Sequence, residues 1–312
     1  MAELVALLEL GSNAVRFVLA RVKPGVGFRV LRQERTQTRL GSGRPGTLPM
    51  EAVDDTLRAV RRFLRNVRRD LAESGDERPL RFIAIATSAV REAVNRDRLL
   101  GPLRREEGIA VRVLTGPEEA RLAAAAAIED LPRRFHGVIA DLGGGSLQLT
   151  TVRRGRIART ASVPLGTIRM TRRFIRADPP EPRELRALRA EIRRQIGEAL
   201  PTARRGDEIV GLGGTIRTLA RIHLVDHCGR RRHRQGMRLE QADVTAIRAR
   251  LEATSLRQRQ ELRGLMAERA DTILAGAILV EEALISGGYP TLVISTRGVR
   301  DGLLLREAFG AR

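Results

Sequence analysis

Lysine is almost missing from this 312-residue chain: Lys23 is its sole lysine, which excludes a phosphate loop built around a lysine ammonium. Cysteine is reduced to Cys228, so an internal disulfide and any multi-cysteine metal site are ruled out. Tryptophan is absent, tyrosine occurs once and aromatics make up 3% of residues, a poor supply for stacking nucleic-acid bases. The longest apolar stretches, Leu122 to Ile128 and Ile273 to Val280, are too short to cross a bilayer. The N-terminus has no basic segment followed by an apolar run and a small-residue cleavage site, so the expected compartment is the cytoplasm. No Gly-x-Ser-x-Gly elbow occurs. Gly211-Leu212-Gly213-Gly214-Thr215-Ile216 lacks the sixth-position glycine of the dinucleotide fingerprint.

Arginine is what the chain has in excess. Its 57 basic residues stand against 37 acidic ones, for a formal charge of +20. Codon usage in a GC-rich genome accounts for such a bias without any partner. A polyanion accounts for it as well, because guanidinium forks hold phosphate oxygens two at a time. Nucleic acid, inorganic polyphosphate and a multiply phosphorylated nucleotide are all open on charge alone. With 42% hydrophobic residues over this length, two domains with proper cores are expected.

Along the chain, Leu4 to Leu10 reads as a strand, Gly11-Ser12-Asn13 as a turn, and Ala14 to Val22 as a returning strand, with Phe28 to Gln33 a third. Glu51 to Glu73 has helical spacing, with Val53, Leu57, Val60, Phe63 and Leu64 on one face. Leu80 to Ala86 is a short buried strand, followed by one helix through about Leu103 and a strand at Val111 to Leu114. The second half begins as the first does: strand Val138 to Leu142, turn Gly143 to Ser146, strand Leu147 to Val152. In both, a carboxylate (Glu9, Asp141) sits one residue before the end of the strand, which marks an internal repeat. Helices are expected at Glu181 to Leu200, Glu240 to Leu251, Ala267 to Ser286 and from Gly302 onward, with a strand at Thr291 to Ile294. Ile209 to Thr215 is a strand entering a helix through a glycine turn. Duplicated strand–helix alternation predicts an α/β protein of two similar lobes.

Glycine turns after strands, at Gly11, Gly143 and Gly213, expose backbone N–H groups and let an anion approach closely. A phosphate site over these turns is the expectation. Thr115-Gly116-Pro117-Glu118 has the spacing of a capping box, so Glu118 is expected to fold back onto the amide of Thr115 while Glu119 is spared that duty. His223 and His227, four apart, could share a metal, but without a third ligand they read as residues near a helix end. The basic run Arg230 to Arg232 with His233 and Arg234 reads as a solvated loop, with polyanion capture the rival. Carboxylates, hydroxyls, arginines and backbone amides around a phosphate suit metal-assisted attack of water on a phosphoryl group.

In sequence order the chain carries Leu10-Gly11-Ser12-Asn13 with Arg16, Ala86-Thr87-Ser88-Ala89-Val90-Arg91-Glu92-Ala93 with Asn95-Arg96, and Gly116 to Leu122. Asp141 to Ser146, Pro164-Leu165-Gly166 with Arg169, and Gly211 to Thr215 follow. Glu268-Arg269-Ala270-Asp271 with Leu274-Ala275-Gly276 and Arg297-Gly298-Val299-Arg300-Asp301-Gly302 complete the series. In these motifs, over nearly its whole length, the sequence resembles the exopolyphosphatase and guanosine pentaphosphate phosphohydrolase (Ppx/GppA) family in its short two-domain form.

The resemblance implies an actin-like (ribonuclease H-like) duplicated two-domain fold with an interdomain cleft. Its lobes would be residues 1–130, with the terminal helix at about 300–312 able to rejoin them, and 131–299. It implies Glu119 as catalytic base and Asp141, with Glu9, as metal-associated carboxylates for Mg2+ or Mn2+. Ser12, Asn13 and Arg91 match phosphate contacts, as do Gly143, Gly144, Gly145 and Ser146; Gly11 and the Gly213-Gly214-Thr215 turn join them as substrate-binding positions. Inorganic polyphosphate or guanosine penta- or tetraphosphate, (p)ppGpp, is the implied ligand and a homodimer the implied assembly, with no membrane partner and nucleic acid disfavoured. Two positions depart from the family pattern: Glu9 replaces Asp, and Gln148 replaces a Glu two residues after the serine of the second loop. Strand alternation puts Gln148 on the face of Ser146, toward the site. Hydrolysis of the terminal phosphate is therefore the leading expectation, and a catalytically impaired polyanion-binding regulator the alternative. A kinase or ATPase of the same fold and a nucleic-acid binder are further readings.

Overall fold

The structure, a computed structural model, describes residues 2–76, 78–228 and 234–310. Arg230 to His233 of the basic run lie outside the described residues. The chain divides into two compact units, Met1–Glu119 with Arg300–Arg312, and Ala120–Val299. Among the described residues no helix is long and apolar enough to cross a membrane.

In the first unit, β1 (Glu3–Leu10), β2 (Ala14–Lys23) and β3 (Gly27–Gln37) precede the long helix α1 (Met50–Ser74) and β4 (Leu80–Ala86). Helices α2 (Ser88–Glu92) and α3 (Asp97–Arg105), strand β5 (Val111–Val113) and the start of α4 (Gly116–Ile128) follow. The sheet order is β3-β2-β1-β4-β5, antiparallel across the first three strands and parallel from β1 to β4 and β5. Strand β1 is buried almost throughout, as its unbroken apolar run requires of a central strand covered on both faces. Helix α1 lays Val53, Val60, Phe63 and Val67 into that core, and Phe63 meets Phe17 of β2 at 5.6 Å between ring centroids. Gly75, at φ +61°, ends the helix by donating its N–H to Ala72 and Leu71 carbonyls.

The expected single helix after β4 is two. Asn95 removes the intervening residues from helical bonding: its side chain accepts from Leu48 N and donates to Leu48 O, both at 2.9 Å. A local amide pairing thus outcompetes helix propagation.

The second unit repeats the plan. Its strands are β6 (Gly137–Leu142), β7 (Leu147–Arg153), β8 (Arg156–Val163), β9 (Glu208–Leu212), β10 (Arg238–Glu240) and β11 (Thr291–Ile294). Helices α5 (Thr167–Phe174) and α6 (Pro182–Ala199) lie between β8 and β9, and α7 (Gly214–Cys228) follows β9. Helices α8 (Gln241–Glu252), α9 (Leu256–Glu261) and α10 (Ile273–Gly287) separate β10 from β11. The order β10-β11-β9-β6-β7-β8 is that of the first sheet with β10 added antiparallel at the edge. Two mixed sheets of one topology, each flanked by helices, make the duplicated actin-like fold.

Helix α10 is buried nearly all round and starts at Ile273, later than expected, after a single 3-10 turn at Ala267–Arg269. The terminal helix starts at Val299, earlier than expected. Strand β8 and helix α5 carry arginines at positions where a clear apolar period would show, which hides both in the sequence. Inside the second unit, Glu281 and the fully buried Glu282 of α10 receive Arg189 and Arg193 from α6, and Arg248 from α8 bonds Glu281. Buried carboxylates persist there because each has guanidinium partners.

Candidate functional site

The turn between β1 and β2 is closed by Gly11 N–H donating to Ala14 O at 3.2 Å, and a Cβ on Gly11 would press on that oxygen. Ser12 O accepts from Gly41 N at 2.7 Å and Asn13 O from Arg39 N at 3.1 Å. With both carbonyls engaged by the backing segment, the turn can present N–H groups to an anion without carbonyl repulsion. Ser12 is buried and its hydroxyl meets that of Ser88, at the start of α2, at 2.9 Å. Asn13 Oδ1 accepts from Gln37 Nε2 at 3.2 Å.

Arg91 and Glu119 come together in the same unit. Arg91 Nη1 donates to Glu119 Oε2 at 3.1 Å and to Leu114 O at 2.8 Å, and Glu119 is 8% exposed. Its neighbour Glu118 does the helix-capping work: Glu118 Oε2 accepts from the amide and the hydroxyl of Thr115, each at 2.9 Å, and Oε1 pairs with Arg112. The Thr115 amide, first, then its hydroxyl hold the Glu118 carboxyl down at about 2. Two adjacent glutamates therefore have separate partners.

Glu9 is held on both oxygens by arginine. Arg16 reaches Oε1 from the facing position of β2, and Arg300 reaches Oε2 from the terminal helix, both at 3.0 Å. Sequence reasoning quoted Arg16 and Arg300 as motif residues without giving them this task. For Arg16 the signal was available, since it is the residue directly opposite Glu9 once the turn length is known.

The second unit builds the matching turn. Gly143 N–H donates to Ser146 O at 3.0 Å. The N-terminus of α5 then ties the turn down: Thr167 N donates to Gly143 O at 3.1 Å, Ile168 N to Gly144 O at 2.9 Å, and Arg169 Nε to Gly145 O at 2.8 Å. Gly166 permits this approach, because a Cβ there would collide with the backbone of Gly144 and Gly145. As in the first unit, every carbonyl of the turn is engaged from behind.

Asp141 occupies on β6 the place of Glu9 on β1, and Gln148 faces it where Arg16 faces Glu9. Gln148 does share the face of Ser146. It is 1% exposed, and its amide donates to Ser146 Oγ at 2.6 Å and toward Ser162 Oγ at 3.4 Å. Gly213, at φ +101°, brings the third turn against Leu142 O, with its Cβ position 3.3 Å from Asp141 Oδ1. Only glycine fits this conformation and this contact. Gly214 opens α7 under the Arg269 guanidinium, and the Thr215 side chain is buried against Gly276.

Among the described residues no three His, Cys, Asp or Glu side chains gather as a metal cage. His223 and His227 stack with ring centroids 4.2 Å apart, and His223 Nδ1 lies 3.6 Å from Asp243 Oδ1. The donor sets of Asp141 and Glu9 differ. A single hard carboxylate such as Asp141 suits Mg2+ or Mn2+, which usually keep waters and bind substrate phosphates alongside one or two carboxylates. A cation at Glu9 has two guanidinium groups to compete with.

The sequence pattern of the Ppx/GppA phosphatase family matches residues 18–309. An uncharacterized protein of Streptomyces coelicolor is 33% identical over 97% of this chain and 89% of its own length. Exopolyphosphatase 1 of Mycobacterium leprae is 30% identical over the same shares, 97% and 89%. The crystal structure of the Aquifex aeolicus member of the Ppx/GppA protein family superposes with a TM-score of 0.80 at 25% identity, covering 98% of both chains.

Proposed function

The chain belongs to the Ppx/GppA phosphatase family, and from that premise we propose that it is an exopolyphosphatase-type phosphohydrolase with Glu119 as general base. Its substrate is inorganic polyphosphate, cut at the terminal residue, or guanosine pentaphosphate, cut at the 5′-phosphate. The observation that carries this reading is the separation of the paired glutamates. Glu118 is consumed by its cap, while Glu119 is buried and oriented by Arg91.

Glu119 takes a proton from water as the water oxygen attacks the terminal phosphorus. The bridging P–O bond breaks, releasing orthophosphate and a chain one phosphate shorter. The turns Gly11–Asn13, Gly143–Ser146 and Gly213–Thr215 orient phosphate oxygens through their amides, where charge develops in the transition state. Arg91 adds a guanidinium and keeps the Glu119 carboxylate aimed. A divalent cation, Mg2+ or Mn2+, carried by Asp141 and by the substrate, supplies further neutralisation of phosphate charge.

A second reading keeps the ligand and drops the turnover. It is favoured by Gln148, which cannot take a proton, and by Glu9, whose charge is met by Arg16 and Arg300. Phosphate release from long-chain polyphosphate with magnesium or manganese, measured beside binding of the same substrate, separates the two. Release that is lost in Glu119→Gln supports the hydrolase, whereas tight binding without release supports the regulator.

A further inference from the structure

The second unit carries an arginine surface that none of the phosphate turns uses. It lies at the end of the sheet where β6 begins, while Gly143 to Ser146 follow the other end of that strand. Three segments meet there. Residues 132–136 lead into β6, Arg154 and Gly155 turn the chain from β7 to β8, and residues 200–207 lead into β9.

Backbone contacts lock the three together. Gly155 N donates to Phe135 O at 3.0 Å, and Glu208 N donates to His136 O at 3.2 Å. Arg153 Nη1 bridges to Asp207 Oδ2 at 3.2 Å, and Gly155 packs against Arg133 O. The turn itself has two successive left-handed residues, Arg154 at φ +51° and Gly155 at φ +69°, the geometry of a tight hairpin.

From this platform Arg133, Arg134, Arg154, Arg156, Arg204 and Arg205 all reach solvent. None of the six is paired with a described carboxylate. The acidic residues beside them are already taken, Asp207 by Arg153 and Glu208 by Arg238. Six like charges held on one rigid surface repel one another, and a polyanion relieves that repulsion. Base recognition is not provided for: Phe135 is buried and no exposed aromatic stands among the arginines.

We propose that this surface binds the distal part of a linear inorganic polyphosphate chain while its terminus is processed at the phosphate turns. The inference rests on the proposed substrate class and adds a chain-length preference to it. Strand β6 has six residues, so the surface and the Gly143 turn lie about 20 Å apart. Long chains span that distance and tripolyphosphate does not. The surface therefore lowers KM for long chains only, and leaves kcat and short substrates untouched.

The test is the quadruple variant Arg133→Ala, Arg154→Ala, Arg156→Ala, Arg204→Ala in the full chain, checked by thermal melting for an unchanged fold. Each lost surface charge contact weakens binding by a few tenths to one kcal/mol, so KM for long-chain polyphosphate is expected to rise about tenfold or more. Tripolyphosphate kinetics are expected to stay at the wild-type value. Direct binding of long-chain polyphosphate, read in a Glu119→Gln background, is expected to weaken by the same factor and to lose part of its salt dependence. If wild type releases no phosphate but the variant still loses polyphosphate binding, the surface stands and the hydrolase reading falls. Unchanged long-chain binding and KM overturn the surface. Single-stranded RNA that displaces long-chain polyphosphate from this surface at equal phosphate concentration and physiological salt overturns the assignment to polyphosphate.

Discussion

Glu119→Gln is the substitution with the clearest arithmetic. Arg91 Nη1 lies 3.1 Å from Glu119 Oε2, and a glutamine keeps an acceptor oxygen for it. The contact changes from a charged to a neutral acceptor, a loss of about 1 kcal/mol, so KM should move by no more than about fivefold. The proton acceptor is lost outright. General-base catalysis contributes about 10²–10⁴-fold, so kcat should fall by that factor, equivalent to about 3–5 kcal/mol in the barrier. The assay is orthophosphate release from long-chain polyphosphate with Mg2+ or Mn2+, with equilibrium binding of the same substrate measured in parallel. Glu118→Gln is the control, since it removes the cap one residue away and should lower the melting temperature while leaving kcat within about threefold. A Glu119→Gln protein that releases phosphate at the wild-type rate would falsify the assignment of Glu119 as base.

Other consequences follow from the same geometry. The Glu118 carboxyl is held at about 2 against an ordinary 4.5. A depressed folded value means that its contribution is fully present above pH 4.5 and fades as pH falls toward about 2. Because Glu118 is about one-third exposed, that contribution is on the helix-cap scale, about 0.5–2 kcal/mol, and acid titrations of wild type and Glu118→Gln should converge below it. Gly213→Ala forces a side chain into φ +101° against Leu142 O, which should cost about 1–3 kcal/mol in denaturant unfolding and weaken polyphosphate binding; wild-type behaviour in both would remove this turn from the site. Gln148→Glu keeps its place because the Ser146 hydroxyl can turn to donate, and phosphate release should rise several-fold; an unchanged rate takes residue 148 out of the chemistry. Glu282→Ala strands Arg189 and Arg193 and should cost about 3–5 kcal/mol without altering KM.

Much of the fold was legible because its signals are local. The apolar runs of β1 and β6, each with a carboxylate one residue before its end and a glycine turn beyond it, announced a duplication that the two strand orders bear out. The Thr115 cap was legible for the same reason, since a side chain reaching three residues back is a local event. Elements whose outer faces are arginine-rich were not. Strand β8 is an edge strand with polar residues at most positions, and α5 has arginine where an apolar stripe would be sought. The break between α2 and α3 depends on Asn95 meeting Leu48, residues far apart in sequence.

The candidate site divides along the same line. Glycine, serine and carboxylate spacing within each motif is set by the chain alone, because turn geometry and strand alternation involve neighbours only. The partners of those groups are set by folding. Arg16 and Arg300 meet Glu9, Arg91 meets Glu119, and α5 engages the carbonyls of the Gly143 turn, in contacts spanning from 7 to about 290 residues. The arginine surface at the start of β6 is the extreme case. Composition announced an excess of positive charge, but only the joining of three distant segments could tell which guanidinium groups stand together without carboxylate partners. Local periodicity is determined by sequence because it depends on bond geometry; electrostatic environment is decided by tertiary structure because it depends on what the fold brings within a few ångströms.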